Sequence, residues 1–327
     1  MRIAHFAIHV IALLLYNPMS FANEGKESKT RIGIENALNY LSMSGEKWKN
    51  KRGCVSCHQI PPMLWAFRIA EQSDYQIDYV DLNLKSWSDW STNVTNFVKP
   101  EQKPDCDEAE TMSANIDTMA GLLLALPETN GAGIQKRFLE HLVREQQDDG
   151  SWNPCGQLPA QRRNPQETRL ATTLWVTHAM GAELTNDQKD AVGKRFSEFK
   201  NVESTEVLAL QLINTHIPLD LETETVLETM LSDQNDDGGW GWLRGESSDA
   251  LGTGIALYAL SQQPWIDNTK ISESIVKARQ FLTATQQPDG KWIVPGTKKT
   301  AKGNPTQTAN DWGTAWAVIG LLETTVQ

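Results

Sequence analysis

Two kinds of apolar stretch alternate along the chain. One is amphipathic, with apolar positions recurring every three or four residues, as in Phe138-Leu-Glu-His-Leu-Val143, Val226-Leu-Glu-Thr-Met-Leu231 and Ala278-Arg-Gln-Phe-Leu282. The other is apolar on nearly every side, as in Met119-Ala-Gly-Leu-Leu-Leu-Ala-Leu126 and Ala315-Trp-Ala-Val-Ile-Gly-Leu-Leu322. A helix with one apolar stripe lies at a surface, and one apolar all round is buried. The alternation therefore predicts six helix pairs. Amphipathic members fall near 32–44, 79–98, 131–147, 186–199, 220–233 and 271–285. Apolar members fall near 58–71, 111–126, 167–182, 203–216, 249–263 and 311–325. The fold class is all-α, with the first set as an outer ring and the second as an inner ring. No strand pattern and no domain break interrupts it, and Lys298 to Thr308 reads as a loop.

The joints between the helices repeat. Gln146-Gln-Asp-Asp-Gly-Ser-Trp152, Gln234-Asn-Asp-Asp-Gly-Gly-Trp240 and Gln286-Gln-Pro-Asp-Gly-Lys-Trp292 each set a Gln six residues before a Trp, with Asp-Gly between. Asp-Gly is a turn signal, because Gly accepts positive φ and Asp bonds to nearby backbone. Each turn closes an amphipathic helix. Each is followed by an inner helix with small residues near its start: Ala171-Thr172-Thr173, Gly252-Thr253-Gly254 and Gly313-Thr314-Ala315. Small residues there let inner helices converge. Repeats of this length mark stacked supersecondary units, and they account for 12 Trp against 8 Phe and 5 Tyr.

Residues 1–22 read as a secretory signal, with Arg2, a short apolar run from Ile3 to Tyr16 and small residues at Ser20-Phe21-Ala22. An uncleaved N-terminal anchor is the alternative. Cleavage removes Arg2, the only charged side chain in that stretch, and leaves the chain one unit more negative than its −11. This acidity excludes a nucleic-acid partner, which needs a basic surface. No later apolar run spans a bilayer, so the expectation is an exported protein, periplasmic or extracellular, with its working domain over 30–327 and no transmembrane segment in the mature chain.

The first pair departs from the repeat. In place of an Asp-Gly-x-Trp corner it carries Cys54-Val55-Ser56-Cys57-His58, the C-x-x-C-H pattern of covalent c-type haem attachment. Each thiol adds to a porphyrin vinyl group, and the adjacent His reaches the iron. Cys54, Cys57 and His58 are thus the expected haem residues, with a redox partner protein implied. A Cys54–Cys57 disulfide or a metal-binding pair are the alternatives. Cys106 and Cys155 can pair as one disulfide in an oxidising compartment. His178, on an inner helix, is the candidate distal ligand, against a plain core histidine. Trp65, Trp175, Tyr258, Trp312 and Trp316 line a cavity or pack the core.

The Q-x-x-D-G-x-W repeats resemble those of the squalene–hopene cyclase and protein-prenyltransferase β-subunit superfamily, over about residues 30–327. Six pairs imply one (α/α)6 toroid. The C-x-x-C-H segment followed by these repeats resembles exported bacterial proteins labelled squalene-cyclase-like. The resemblance implies an apolar or isoprenoid ligand in the central cavity. It offers acid catalysis as an alternative function, with Asp107 of Asp105-Cys106-Asp107-Glu108 in the place of the cyclase acid, and a non-catalytic binding or scaffold toroid as another. The motif departs in ending on Glu, its spacing to Asp117 suggests a loop, and a full triterpene cyclase has two toroids. The prenyltransferase zinc set is absent, since no Cys follows Cys155 and no His follows His216. Glu167, Asp249 and Asp311 are expected to stabilise helix N-termini.

Overall fold

The computed structural model describes residues 18–56, 58–73, 75, 84–126, 132–197, 199, 202–218, 222–263 and 269–325. The signal stretch up to Asn17, and Cys57, lie outside the described residues; α1 is helical from Pro18, through the expected cleavage point. The outer helices are α1 (Pro18–Arg52), α3 (Leu84–Thr92), α6 (Ala132–Glu145), α8 (Asn186–Ser197), α10 (Thr223–Ser232) and α12 (Thr269–Thr285). The inner helices are α2 (Ile60–Gln72), α5 (Ile116–Ala125), α7 (Pro165–Met180), α9 (Thr205–Ile213), α11 (Ala250–Ser261) and α13 (Gln307–Glu323). A short α4 (Glu108–Ser113) precedes α5. Among the described residues there is no β-strand.

The inner ring closes. Each of α2, α5, α7, α9, α11 and α13 packs on the next, and α13 returns to α2. This is a single α/α toroid, and the apolar pattern explains its layering. Every residue from Ala250 to Leu260 and from Ala309 to Leu322 is buried. The inner helices approach closely where glycines allow it. A Cβ on Gly254 would strike the backbone of Trp316, and one on Gly320 would strike Gly254.

The three corners are built alike. The indoles of Trp152, Trp240 and Trp292 are buried and donate to the carbonyls of Leu142 (2.7 Å), Met230 (2.8 Å) and Leu282 (2.9 Å), which are end carbonyls of the outer helices. The Trp amides donate to the hydroxyls of Thr173, Thr253 and Thr314 on the following inner helices. One residue thus satisfies helix-end groups that would otherwise lack partners and locks outer to inner helix. The corners also join neighbours. Gly150, Gly238 and Gly290 have φ of 79°, 89° and 87°. A Cβ there would strike Ala191 of α8, Lys277 of α12 and Asn36 of α1 respectively. Gln234 donates to Ser274 of α12 and Gln286 to Gly33 of α1, both through Nε2. The last contact ties the C-terminal repeat to the N-terminal helix, 253 residues away.

The pattern misjudged two elements. The expected outer helix over 79–98 is shorter: α3 stops at Thr92, where the Asn93 side chain accepts from the Thr95 amide and opens a 3-10 turn, Val94–Phe97. The expected inner helix over 111–126 is broken at Ala114-Asn115, where Asn115 Nδ2 donates to the Thr111 carbonyl. Asn competes with the helix for backbone partners. The loop at Lys298 to Thr308 contains only a short turn, Lys299–Ala301, and α13 starts at Gln307 within it.

Candidate functional site

Residues of α2, α5, α7, α9 and α13, with the segments that lead into them, enclose a two-part cavity. The outer part, the mouth, is about 480 Å³ and is lined among others by Cys54, Ser56, His58, Asp117, Cys155 and Lys298. The deeper part is about 70 Å³ and is lined among others by His58, Trp65, Asp117, Trp175, Trp312 and Trp316. His58 and Asp117 border both parts, and so stand where the polar mouth meets the aromatic lumen.

Local bonding fixes the Cys54–His58 segment. Trp48 Nε1 donates to the Cys54 carbonyl at 2.8 Å, and the Val55 amide donates to the Asn96 carbonyl at 2.6 Å. The buried Val55 side chain anchors the segment between α1 and the Val94–Phe97 turn. Pro61 and Pro62 then start α2, where missing amides cost nothing. His58 is held edge-on to Trp48, ring centroids 6.2 Å apart, and tilted against Trp312 at 6.4 Å. Its Ser56 neighbour lies 3.2–3.3 Å from both ring nitrogens.

Burial sets the protonation states. It lowers the His58 pKa to about 4, with the Lys298 charge adding to the effect, so the imidazole is neutral at pH 7. It raises the Asp117 carboxyl to about 6, against the hydrogen bonds from Thr172 Oγ1 (2.7 Å) and the Cys155 amide (3.1 Å). It raises the Cys155 thiol to about 11. The Cys54 thiol is also raised by burial, while the charges of Lys99, Arg52 and Lys103 pull the other way.

Beside the lumen, Arg163 and Glu206 form a buried ion pair at 2.7 Å. Glu206 also accepts from the indoles of Trp175 (2.8 Å) and Trp242 (3.2 Å). Charges removed from water need this degree of pairing.

The structure brings Cys54 and His58 together, but not His178. His178 sits 13 residues beyond Pro165 in α7, about 20 Å along the axis at 1.5 Å per residue. Its Nε2 is 3.0 Å from the Tyr258 hydroxyl, and neither residue lines either part of the cavity. The rings of Trp65, Trp175 and Trp316 stand between Tyr258 and the lumen, each pair 5.2–6.4 Å apart. His178 is half-buried and lies on the far side of the tryptophan layer from His58. Four of the five expected aromatics line the cavity, and Tyr258 packs behind them.

Asp107 is likewise outside the site. It is exposed, and its side chain caps α4 by accepting from the Glu110 amide at 2.9 Å. The carboxyl at the inner-helix start is Asp117, the second residue of α5. Its position at the head of an all-apolar run was the available signal. Cys106 and Cys155 are not paired: the first contacts Thr111 Oγ1 at 3.2 Å, and the second donates to the Ser113 carbonyl at 3.3 Å. Asp249 caps α11 through the Leu251 and Gly252 amides, and Glu167 accepts from the Ser204 amide at the start of α9. Asp311, by contrast, lies inside α13 and accepts from Tyr40 and Gln307. Among the described residues no three His, Cys, Asp or Glu side chains gather to hold a metal ion, and no helix is long and apolar enough to cross a membrane.

No family model and no curated protein matches the sequence. Solved structures do match its fold. A protein from Actinoplanes aligns with a TM-score of 0.54 at 13% identity, over 92% of this chain and 100% of that one. Two structures of variants of the type II terpene cyclase MstE from Scytonema align with a TM-score of 0.53. One, with geranylgeranyl dihydroxybenzoate as substrate, has 11% identity over 90% of this chain and 98% of that one. The other, with merosterolic acid A as product, has 10% identity over 90% and 97%. At 10–13% identity these likenesses establish that the chain has the helical toroid fold of terpene cyclases.

Proposed function

We propose that Cys54, Cys57 and His58 hold a covalent c-type haem at the mouth of the toroid, for electron transfer or for redox chemistry on an apolar molecule in the lumen. The observation that carries this reading is that Cys54 and His58 line one cavity of about 480 Å³. The residues suit the group. His58 is neutral at pH 7, as an iron ligand must be. Cys54 is half-buried and accessible from the mouth. Bound haem supplies one-electron chemistry at iron. The chain's own part is to orient His58 between Trp48 and Trp312 and to offer a dry, aromatic lumen beyond it. Export to an oxidising compartment, where a redox partner protein would meet it, belongs to the same proposal. The test is to express the full chain with haem-attachment machinery. A Soret band and a peroxidase-positive band on a denaturing gel are expected, and Cys57→Ser should weaken both. A colourless wild-type protein overturns the reading.

A second reading is favoured by Asp117: acid-initiated cyclisation of an isoprenoid. A carboxyl with a pKa of about 6 retains its proton well above the ordinary carboxylate range, and it faces four tryptophans able to stabilise a cation. MstE binds a geranylgeranyl substrate within the same fold. Conversion of a geranylgeranyl substrate should then fall as pH rises through about 6 and be lost in Asp117→Asn. Conversion that survives in Asp117→Asn removes this reading.

A further inference from the structure

The protein is acidic, with 41 Asp and Glu against 30 Lys and Arg. Its cavity mouth is not. The charged residues lining it, among the described residues, are Arg52, Lys99, Lys298 and Asp117. The three cations come from three separate segments: the end of α1, the lead into the Pro100–Asp105 turn, and the loop before α13. Their charges reach the centre of the site, since Lys99 and Arg52 act on Cys54, and Lys298 acts on His58. Lys103 also acts on Cys54 but donates to Asn96 Oδ1 at 2.6 Å. Glu101 is the acidic neighbour of Cys54, and Asp117 stands at the inner end.

The helix dipole accounts for only one of these cations. Arg52 ends α1, where a positive charge favours the helix dipole. Lys99 and Lys298 each occupy the N-cap position of a 3-10 turn, where the same effect gives a cation no advantage. Three cations against the single carboxylate of Asp117 give the mouth a positive potential, which favours an anionic ligand there.

We propose that the mouth is a carboxylate-recognition site, in which Arg52, Lys99 and Lys298 bind the acidic group of a molecule whose apolar body faces the tryptophan-lined lumen. The carboxylate has two available sources, the propionates of a porphyrin or the head of an isoprenoid acid. The inference deepens the site proposed above, and depends on it only for which source is used.

The test uses the full chain prepared without haem, with tryptophan fluorescence as the readout. Four probes are titrated in one detergent: protoporphyrin IX, its dimethyl ester, geranylgeranoic acid and geranylgeraniol. At least one acid should bind ten-fold or more tighter than its neutral counterpart, and added salt should weaken that preference. The double variant Lys99→Glu/Lys298→Glu should lose the preference while keeping its affinity for the neutral probe. Lys99 is exposed and Lys298 half-buried, and the retained affinity for the neutral probe shows that the variant keeps its fold. Which acid is preferred identifies the source. No preference in the wild type, no binding of any probe, or a preference that survives charge reversal each overturns the inference. A colourless protein that still prefers an acid defeats only the haem reading, and a haem-loaded protein without the preference defeats only this one.

Discussion

The Asp-Gly-x-Trp corners and the Cys54–His58 segment occupy comparable places, each between an outer and an inner helix, and they are built for different ends. At a corner, Trp240 is 1% exposed and its indole caps the outer helix at Met230. At the first pair, Trp48 is half-buried and its indole reaches forward to the Cys54 carbonyl. A corner turns its polar groups into backbone and leaves nothing facing the lumen. The first joint leaves a thiol and an imidazole on the cavity wall. Where the repeat is kept, its own seven residues are structural, and cavity-lining side chains such as Cys155 and Lys298 come from the loop beyond it. Where it is broken, reactive side chains reach the centre.

Replacing the two tryptophans should separate these roles most sharply. Trp240→Ala should cost ~3–5 kcal/mol, the range for a buried Trp that leaves a cavity, and chemical denaturation should read it as a lower midpoint. Trp48→Ala should cost less than half of that, because its ring is only partly removed from water. Equal losses would mean that the first joint is as structural as the others.

The corner glycines give a smaller effect with an internal control. Gly238 and Gly245 both have positive φ, at 89° and 75°. A Cβ at Gly238 would press on the Lys277 backbone, whereas nothing lies within 4 Å of one at Gly245. Gly245→Ala should cost ~1 kcal/mol from conformation alone, and Gly238→Ala ~2 kcal/mol more from the clash. Similar melting temperatures for the two would show that the corners need glycine for turning only, not for seating the next outer helix.

The smallest effect is a slope against pH. Burial lowers the His178 pKa from 6.5 to about 4, so the unfolded chain takes up a proton that the folded chain refuses. Stability is therefore lost as pH falls from 6.5 towards 4. His178→Gln should remove at most ~1.4 kcal/mol per pH unit of that slope, while costing ~1 kcal/mol at pH 8 through the lost Tyr258 bond. A wild-type slope retained in the variant would place His178 in a wetter setting than the tryptophan layer provides.

Much of this was legible beforehand. The corners were visible because a repeated chemical need, capping an outer helix while turning into an inner one, selects the same residues each time. The Trp, Gly and Gln of the first two corners meet partners close in the chain or one repeat away, while Gln286 and Gly290 of the third meet α1 across the closure of the ring. The site was only half legible. Cys54 and His58 stand out because their spacing is itself the chemistry. Asp117 does not, because its raised pKa comes from burial as the ring closes around it, against the hydrogen bonds of Thr172 and Cys155. Asp107 drew notice through its likeness to the cyclase acid motif, whereas the structure puts it at an exposed helix cap outside the cavity.

The sequence by itself determined the helix pairs, their division into inner and outer, and the joints that turn one into the next, since these follow from periodicity and short-range bonding. Only the tertiary structure decided which side chains share the lumen. Asp117, Arg163, Glu206 and Lys298 come from four separate segments that the closed ring brings around one cavity. Burial, the source of every large pKa shift at this site, exists only once that ring has closed.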